Sequence, residues 1–313
     1  LPGGRPVSPV RVLLVDDQHL VRAGFRALLD DATDIEVVSL YVNHDGREYV
    51  DAEMDVDEFY RGIAGMLDNI PTSSQPSQSV LENLFERAAA AGDEVLGVFI
   101  SSKMSGTFEG AVRAARAVKA RHLDFTCSLV DSTTNSYDEA FPVLAAAYAR
   151  DAGADLRECV RAVCDAVKST RFLFTPETLA FLRAGGRIGG AAALLGNLIQ
   201  LRPVLTVSNE ETDTFAKVRT TKKALDRIAA KFKEDVEEHG LKNVVVHYIG
   251  DKTPAVEWAR GVIEPYVGRV VDVLPVSPVI GTHVGPAVGI AYECRAPLAG
   301  KFSGNVNDLV FSL

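Results

Sequence analysis

The chain has 313 residues, of which 47% are hydrophobic and 24% charged, and its 42 acidic against 33 basic side chains give a formal net charge of −9. That length allows two ordinary domains, each with a core of its own, and the balance is that of a soluble globular protein. The acidic excess opposes a broad phosphate-binding face, so neither nucleic acid nor an anionic membrane is an expected partner, and no apolar run approaches the roughly 20 residues that span a bilayer.

The N-terminal LPGGRPVSPV lacks the basic-then-apolar plan of a signal peptide, so a cytoplasmic location without stable membrane insertion is expected. Cys127, Cys159, Cys164 and Cys294 are too few and too irregularly spaced for a disulfide framework or a zinc site, and Cys127 in the apolar run FTCSLV reads as a small buried thiol.

The first predicted strand and helix, RVLLVDDQHLVRAGFRALL (11–29), resemble the start of a bacterial response-regulator receiver, where paired aspartates hold the Mg²⁺ used in phosphoryl transfer. A receiver also needs a third aspartate at the end of a later strand. After 35–40 the chain instead reads YVNHDGREYVDAEMDVDEFYRGI, with Asp45, Asp51, Asp55 and Asp57 scattered among polar residues. The alternative is a buried parallel strand at 12–15 whose C-terminal end simply carries Asp16 and Asp17 into solvent.

Further along, IEVVSLYV, VLGVFI and FTCSLVD read as buried strands, separated by helices near 57–67, 79–91 and 108–119 and followed by helices within 138–168. Such alternation predicts a parallel sheet covered on both faces. From 171 the pattern changes to helix, glycine turn, helix and strand. Then come FAKVRT, a charged helix over 222–239, NVVVHYIG, a helix near 255–263, RVVDVLPV and AVGIAYE. The expected organisation is an α/β N-terminal domain over 1–170, containing the receiver-like segment 11–38, and a mixed α/β C-terminal domain over 171–313.

Four loops are richer in glycine and small hydroxyl residues than connection requires: PTSSQPS (71–77), ISSKMSGTF (100–108), LRAGGRIGG (182–190) and IGTHVGP (280–286). The first two lie at or near the C-terminal ends of predicted parallel strands, where open α/β sheets bind ligands. Ser105, Gly106 and Thr107 precede a predicted helix, so their amides and hydroxyls would face an anion, or merely cap the helix. Arg187 could fork onto a carboxylate or cap the helix before it. His283, beside Thr282 and between Gly281 and Gly285, is set for exposure to a site and not for a core.

These loops, in this order, together with SLYVNHDGREYVDAEMDVDEFY, LVDS, FLRAGGRIGGAAALLGNLIQLRPVLTV and KVRTTKKAL, make residues from about 37 to about 293 resemble the DegV family. Those fatty-acid-binding proteins include the lipid-carrying subunit of bacterial fatty acid kinase. The resemblance implies a two-domain α/β fold with one long-chain fatty acid in a tunnel between the domains and no other cofactor or metal. It also implies an ATP-binding kinase subunit as partner, which phosphorylates the lipid carboxylate while the binding protein supplies no catalysis. Carried over by motif, the carboxylate-binding hydroxyls fall on Ser73, where the family usually has threonine, and on Ser105, the histidine on His283 and the glycine-flanked arginine on Arg187. Gly106, Thr107 and Thr282 are further expected ligand-binding residues, and 191–201 an expected wall for the acyl chain.

Two ends depart from the family. Its first strand usually ends Thr-Asp-Ser, where this chain has Val15, Asp16 and Asp17, a segment that looks taken from a receiver. The tail CRAPLAGKFSGNVNDLVFSL runs past the usual end. Two other functions compete: a serine hydrolase using Ser105, His283 and Asp131, which lacks a G-x-S-x-G elbow because position 103 is lysine, and a receiver-type switch.

Overall fold

A computed structural model describes residues 10–15, 35–194, 201–302 and 304–313. The predicted receiver-like helix, Asp16 and Asp17 fall outside them. Strands β1 (Val10–Val15) and β2 (Ile35–Val38) enter a five-stranded sheet of order β14-β7-β6-β1-β2. There β1 runs parallel to both β2 and β6 (Glu94–Phe99), and β6 parallel to β7 (Cys127–Asp131).

The run IEVVSLYV, expected as one strand, is two. After β2 the chain leaves the sheet and forms β3 (Tyr41–His44), which pairs with β4 (Arg47–Val50) across an Asp45-Gly46 turn, both residues having positive φ, and with β5 (Thr72–Ser74). Two-residue hairpins favour that dipeptide because the turn needs left-handed backbone twice. Between β4 and β5 lie helix α1 (Val56–Gly62), capped by Asp55, and a 3₁₀ turn over Ile63–Asp68.

Alternation along β6 divides the core. Val95 and Phe99 point to helices α2 (Gln78–Ala91) and α3 (Thr107–Arg121), while Leu96 and Val98 point to the opposite face. That opposite face is covered by helices α4 (Tyr137–Asp151) and α5 (Leu156–Ser169). Asp155 and Glu158 form a capping box at the start of α5, whose Cys159, Val163 and Val167 make one buried stripe.

On the far side of α4 is a six-stranded mixed sheet, ordered β10-β9-β8-β13-β11-β12, with β8 at Thr170–Pro176, β9 at Arg202–Ser208, β10 at Glu211–Val218, β11 at Leu241–Ile249, β12 at Val273–Pro275 and β13 at Ala287–Cys294. A short helix α6 (Ala180–Ala184) follows β8. The second sheet's outer face carries helix α7 (Thr221–His239), which buries Ala224, Ile228 and Phe232 at successive turns. Further α-helices among the described residues are α8 (Thr253–Trp258), α9 (Glu264–Val267) and α10 (Pro278–Val284). The α/β class read from the sequence is therefore observed, with α4 between the sheets.

The tail returns to the first sheet. β14 (Val310–Ser312) pairs antiparallel with β7, and the Lys301 ammonium lies 2.5 Å from the Asp138 carboxylate, both side chains almost wholly buried. All four cysteines are free and buried, and burial pushes the Cys127 thiol up to about 12.

Candidate functional site

A cavity opens where the loops after β6 and β7 meet the second sheet, with about 540 Å³ of space between its walls including its open mouth. Separate parts of the chain bring its polar side chains, Ser73, Ser105, Asn135, Arg187, Thr212 and His283, together. Ser73 is the middle residue of β5, opposite Val42. His283 lies near the C-terminal end of α10, and its Nε2 is 2.7 Å from Ser73 Oγ.

Two contacts hold the small sheet against α10. The Asp51 carboxylate accepts from the amide of Val279, 2.9 Å away at the helix N-terminus, where negative charge is favoured. The Tyr60 hydroxyl reaches the carbonyls of Val276 and Ser277 at 2.6 and 2.8 Å. Asp51, one of the scattered aspartates in the polar stretch, thus positions the histidine helix.

His283 is neutral at physiological pH. Burial, and then the charge of Arg187, push its pKa down to about 4. Its Nδ1 is buried without a hydrogen-bond partner among the described residues and lies against Gly185, where a Cβ would stand 2.2 Å from it. This contact explains one glycine of the predicted turn. A second, Gly189, has φ +48 and sits where a Cβ would be 2.4 Å from the Thr212 carbonyl oxygen.

Arg187 donates through Nε to the Met104 carbonyl at 2.9 Å and through Nη1 to the Gly185 carbonyl at 2.5 Å. Gly185 ends α6, so the capping role is realised, and the guanidinium also forms part of the cavity wall. Ser105, which lines the same cavity, has its Oγ 2.6 Å from Thr107 Oγ1. The loop that carries it is tied to the β9–β10 turn by Ser101 Oγ donating to the Glu210 carbonyl at 2.6 Å and by Lys103 pairing with Glu210 at 2.8 Å.

Of the predicted site residues, Ser73, Ser105, Arg187 and His283 line one cavity. The others stand behind it. Gly106 faces the Gln75 amide, and Thr107 is buried against Ser105. The Thr282 hydroxyl turns back to the Val279 carbonyl of its own helix at 2.7 Å and is not part of the wall. The expected wall at 191–201 is not found among its described members: the apolar surface comes from Phe172 and Phe174 of β8 and from Ile280 and Val284 of α10. Met104, Asn135 and Thr212 complete the polar side and were not anticipated. Asn135 donates to the Met104 sulfur at 3.2 Å and keeps a buried amide oxygen without a partner among the described residues.

The hydrolase arrangement is not assembled. Asp131 accepts from the amides of Ser102 and Thr133 at 3.0 and 2.7 Å, His283 pairs with Ser73 and not with Ser105, and among the described residues no carboxylate meets His283 Nδ1. A triad needs that third group to orient the imidazole.

The family model described as "Uncharacterised protein, DegV family" matches residues 25–295. This chain belongs to the DegV family. A DegV domain-containing protein of Clostridium acetobutylicum is 38% identical over 259 residues, 82% of this chain and 90% of that protein. Among solved structures, a fatty-acid-binding DegV family protein of Thermus thermophilus superposes with a TM-score of 0.77 at 28% identity, covering 91% of this chain and 99% of the other. DegV of Bacillus subtilis, a fatty acid binding protein, gives 0.79 at 26% identity, covering 92% and 99%. Among the described residues, no helix is long and apolar enough to cross a membrane and no cluster of His, Cys, Asp and Glu could hold a metal ion.

Proposed function

We propose that this DegV protein binds one long-chain fatty acid, with its carboxylate among Ser73, Ser105, Arg187 and His283 and its tail along Phe172, Phe174, Ile280 and Val284. The observation that carries the reading is the division of one cavity into a polar mouth of hydroxyls, imidazole and guanidinium and an apolar remainder. A carboxylate leaving bulk water needs several donors. An acyl chain needs only apolar surface, gaining about 0.8 kcal/mol for each buried CH₂. The relatives of Thermus thermophilus and Bacillus subtilis support the choice of ligand.

The bound lipid is presented, in the cytoplasm, to an ATP-binding kinase subunit. A carboxylate oxygen attacks the γ-phosphorus, the bond to the β-phosphate oxygen breaks, and ADP and an acyl phosphate result. This chain orients the carboxylate and leaves the phosphoryl chemistry to the partner. The neutral imidazole of His283 can contribute a hydrogen bond to the carboxylate without adding a second positive charge beside Arg187.

Native mass spectrometry with extraction of copurified lipid tests binding: one fatty acid per chain is expected, and lipid-free protein that also refuses added fatty acid refutes it. Transfer is tested by His283→Ala and Ser105→Ala with a competent kinase subunit. Losing one donor costs about 1–3 kcal/mol of affinity, whereas misplacing the carboxylate can cost about 10²-fold in rate. Both variants should therefore retain lipid and form little acyl phosphate.

A further inference from the structure

The loop after β7, residues 132–136, bends twice through backbone that side chains rarely adopt. Thr133 has φ +63, and Ser136 has φ +62 with ψ −153, a region almost reserved for glycine. Every residue of the loop is buried. Such a conformation persists only where its surroundings hold it. Two carboxylates do so: Asp131 accepts from the Thr133 amide at 2.7 Å, and Asp138 Oδ2 accepts from the Thr134 hydroxyl at 2.5 Å. The same oxygen of Asp138 takes its countercharge from the C-terminal tail, which inserts Lys301 into the core. Just before that lysine the tail is fastened by the Leu298 amide donating to the Lys168 carbonyl at 2.9 Å and by Arg171 donating to the Ala299 carbonyl at 3.1 Å.

This anchor reaches the head-group side of the cavity in short steps. The Thr134 carbonyl accepts from the Ser101 amide at 2.8 Å, and the Ser101 carbonyl accepts from the amides of Met104 and Ser105, each at 3.0 Å. Asn135, next to Thr134 in the chain, lines the cavity together with Met104 and Ser105. Thr134 thus joins the loop after β7 to the loop after β6, and its hydroxyl is held by the carboxylate that Lys301 neutralises.

Stability alone does not account for a buried ammonium–carboxylate pair. Desolvating two charges offsets much of their attraction, and well-packed apolar residues of similar volume often serve as well or better. What the pair adds is direction: the ammonium fixes Asp138 Oδ2 at one point, and that oxygen fixes the Thr134 hydroxyl. Resting on the fatty-acid reading above, we propose that Lys301 is a positioning residue of the head-group site, acting through Asp138 and Thr134 to place Ser105 for the lipid carboxylate. The tail beyond β13 then serves the binding site as well as the first sheet.

The test uses the full chain freed of lipid and measures its affinity for stearate and for myristate. Lys301→Met/Asp138→Leu removes both charges and should fold stably, yet bind each acid about tenfold more weakly than the wild type, the size of one misplaced hydrogen bond. The factor should be the same for both acids, because a defect at the carboxylate leaves the burial of methylenes untouched. Thr134→Val, which keeps the ion pair, should show the same loss, and adding it to the double variant should cost nothing more. Wild-type affinity in the stable double variant makes Lys301 a structural charge only and overturns the proposal. So does a larger loss for stearate than for myristate, which would put the defect along the acyl wall, and so do additive losses. Should the double variant not fold, unchanged affinity in Thr134→Val overturns the proposal in its place. Failure of the wild type to bind either acid overturns the proposed function as well, whereas wild-type binding with unaffected variants overturns the role of Lys301 alone.

Discussion

Gly185→Ala isolates the contact that places His283. The backbone at Gly185 has φ −75 and ψ −7, a conformation open to any L residue, so by chain entropy alone alanine would stabilise by about 0.4–1 kcal/mol. The neighbour reverses the sign. An ideal Cβ would lie 2.2 Å from His283 Nδ1, 3.1 Å from Cε1 and 3.3 Å from Cγ. Ordinary contact begins near 3.4 Å, so the ring must retreat by 3.4 − 2.2 = 1.2 Å. A movement of that size breaks the 2.7 Å contact with Ser73 unless the serine follows. Overpacking of about 1–3 kcal/mol and a lost hydrogen bond of about 0.5–1.5 kcal/mol outweigh the entropic gain, leaving a net loss of about 2 kcal/mol. Urea unfolding should show a lower midpoint at unchanged m. In a His283→Ala background the same substitution should be neutral or stabilising, which makes the pair strongly coupled. An equal cost in both backgrounds, or none in either, would refute the placement of the imidazole against Gly185.

The buried histidines set an acid limb. Their folded pKa values, about 4 for His283 and about 3 for His247, lie below the ordinary value of 6.5, so the unfolded chain takes up protons first as the pH falls. Stability is full above pH 6.5 and is lost below it, by about 3 kcal/mol for His283 as the pH reaches 4. His247→Phe should flatten that limb in denaturant titrations across the range; an unchanged slope would contradict the burial. Lys301→Met strands the Asp138 carboxylate in the core and should cost about 3–5 kcal/mol, with much of the loss recovered in Lys301→Met/Asp138→Leu as read by unfolding midpoints. Gly189→Ala combines a left-handed backbone with a clash against a carbonyl that cannot rotate away, and should lower stability by about 3 kcal/mol in the same assay.

The layers of the fold were legible where local pattern and tertiary placement agree. β6 and β7 are continuous apolar runs because both faces of the first sheet are covered. The run IEVVSLYV misled because apolar content does not say which partner a strand will find: β2 pairs with β1, and β3, only two residues on, pairs with β4 and β5 in another sheet. The Asp45-Gly46 hairpin carries a turn dipeptide but was passed over as part of a polar stretch. β14 was not legible, since Phe311 pairs with Leu129 across most of the chain and three residues carry no period of their own.

At the site, sequence reasoning located the loops but not the direction of every side chain within them. The loops of Ser73 and His283 stood out because small and glycine-flanked residues interrupt the apolar pattern, and Ser73 itself followed only from the family resemblance, yet their pairing depends on Asp51 and Tyr60 holding α10 against the small sheet. Thr282 has the same local setting as His283 and a different fate, because one residue's rotation on a helix turns its hydroxyl back to a carbonyl three residues earlier. The apolar wall was within reach of inspection: RFLFTP places Phe172 and Phe174 on one face by the two-residue period of a strand, whereas the run at 191–201 attracted notice by hydrophobicity alone. Asn135 carried no signal at all. Its interest lies in an amide oxygen without a partner among the described residues, and pairing is a property of the packed chain that no spacing of residues reveals.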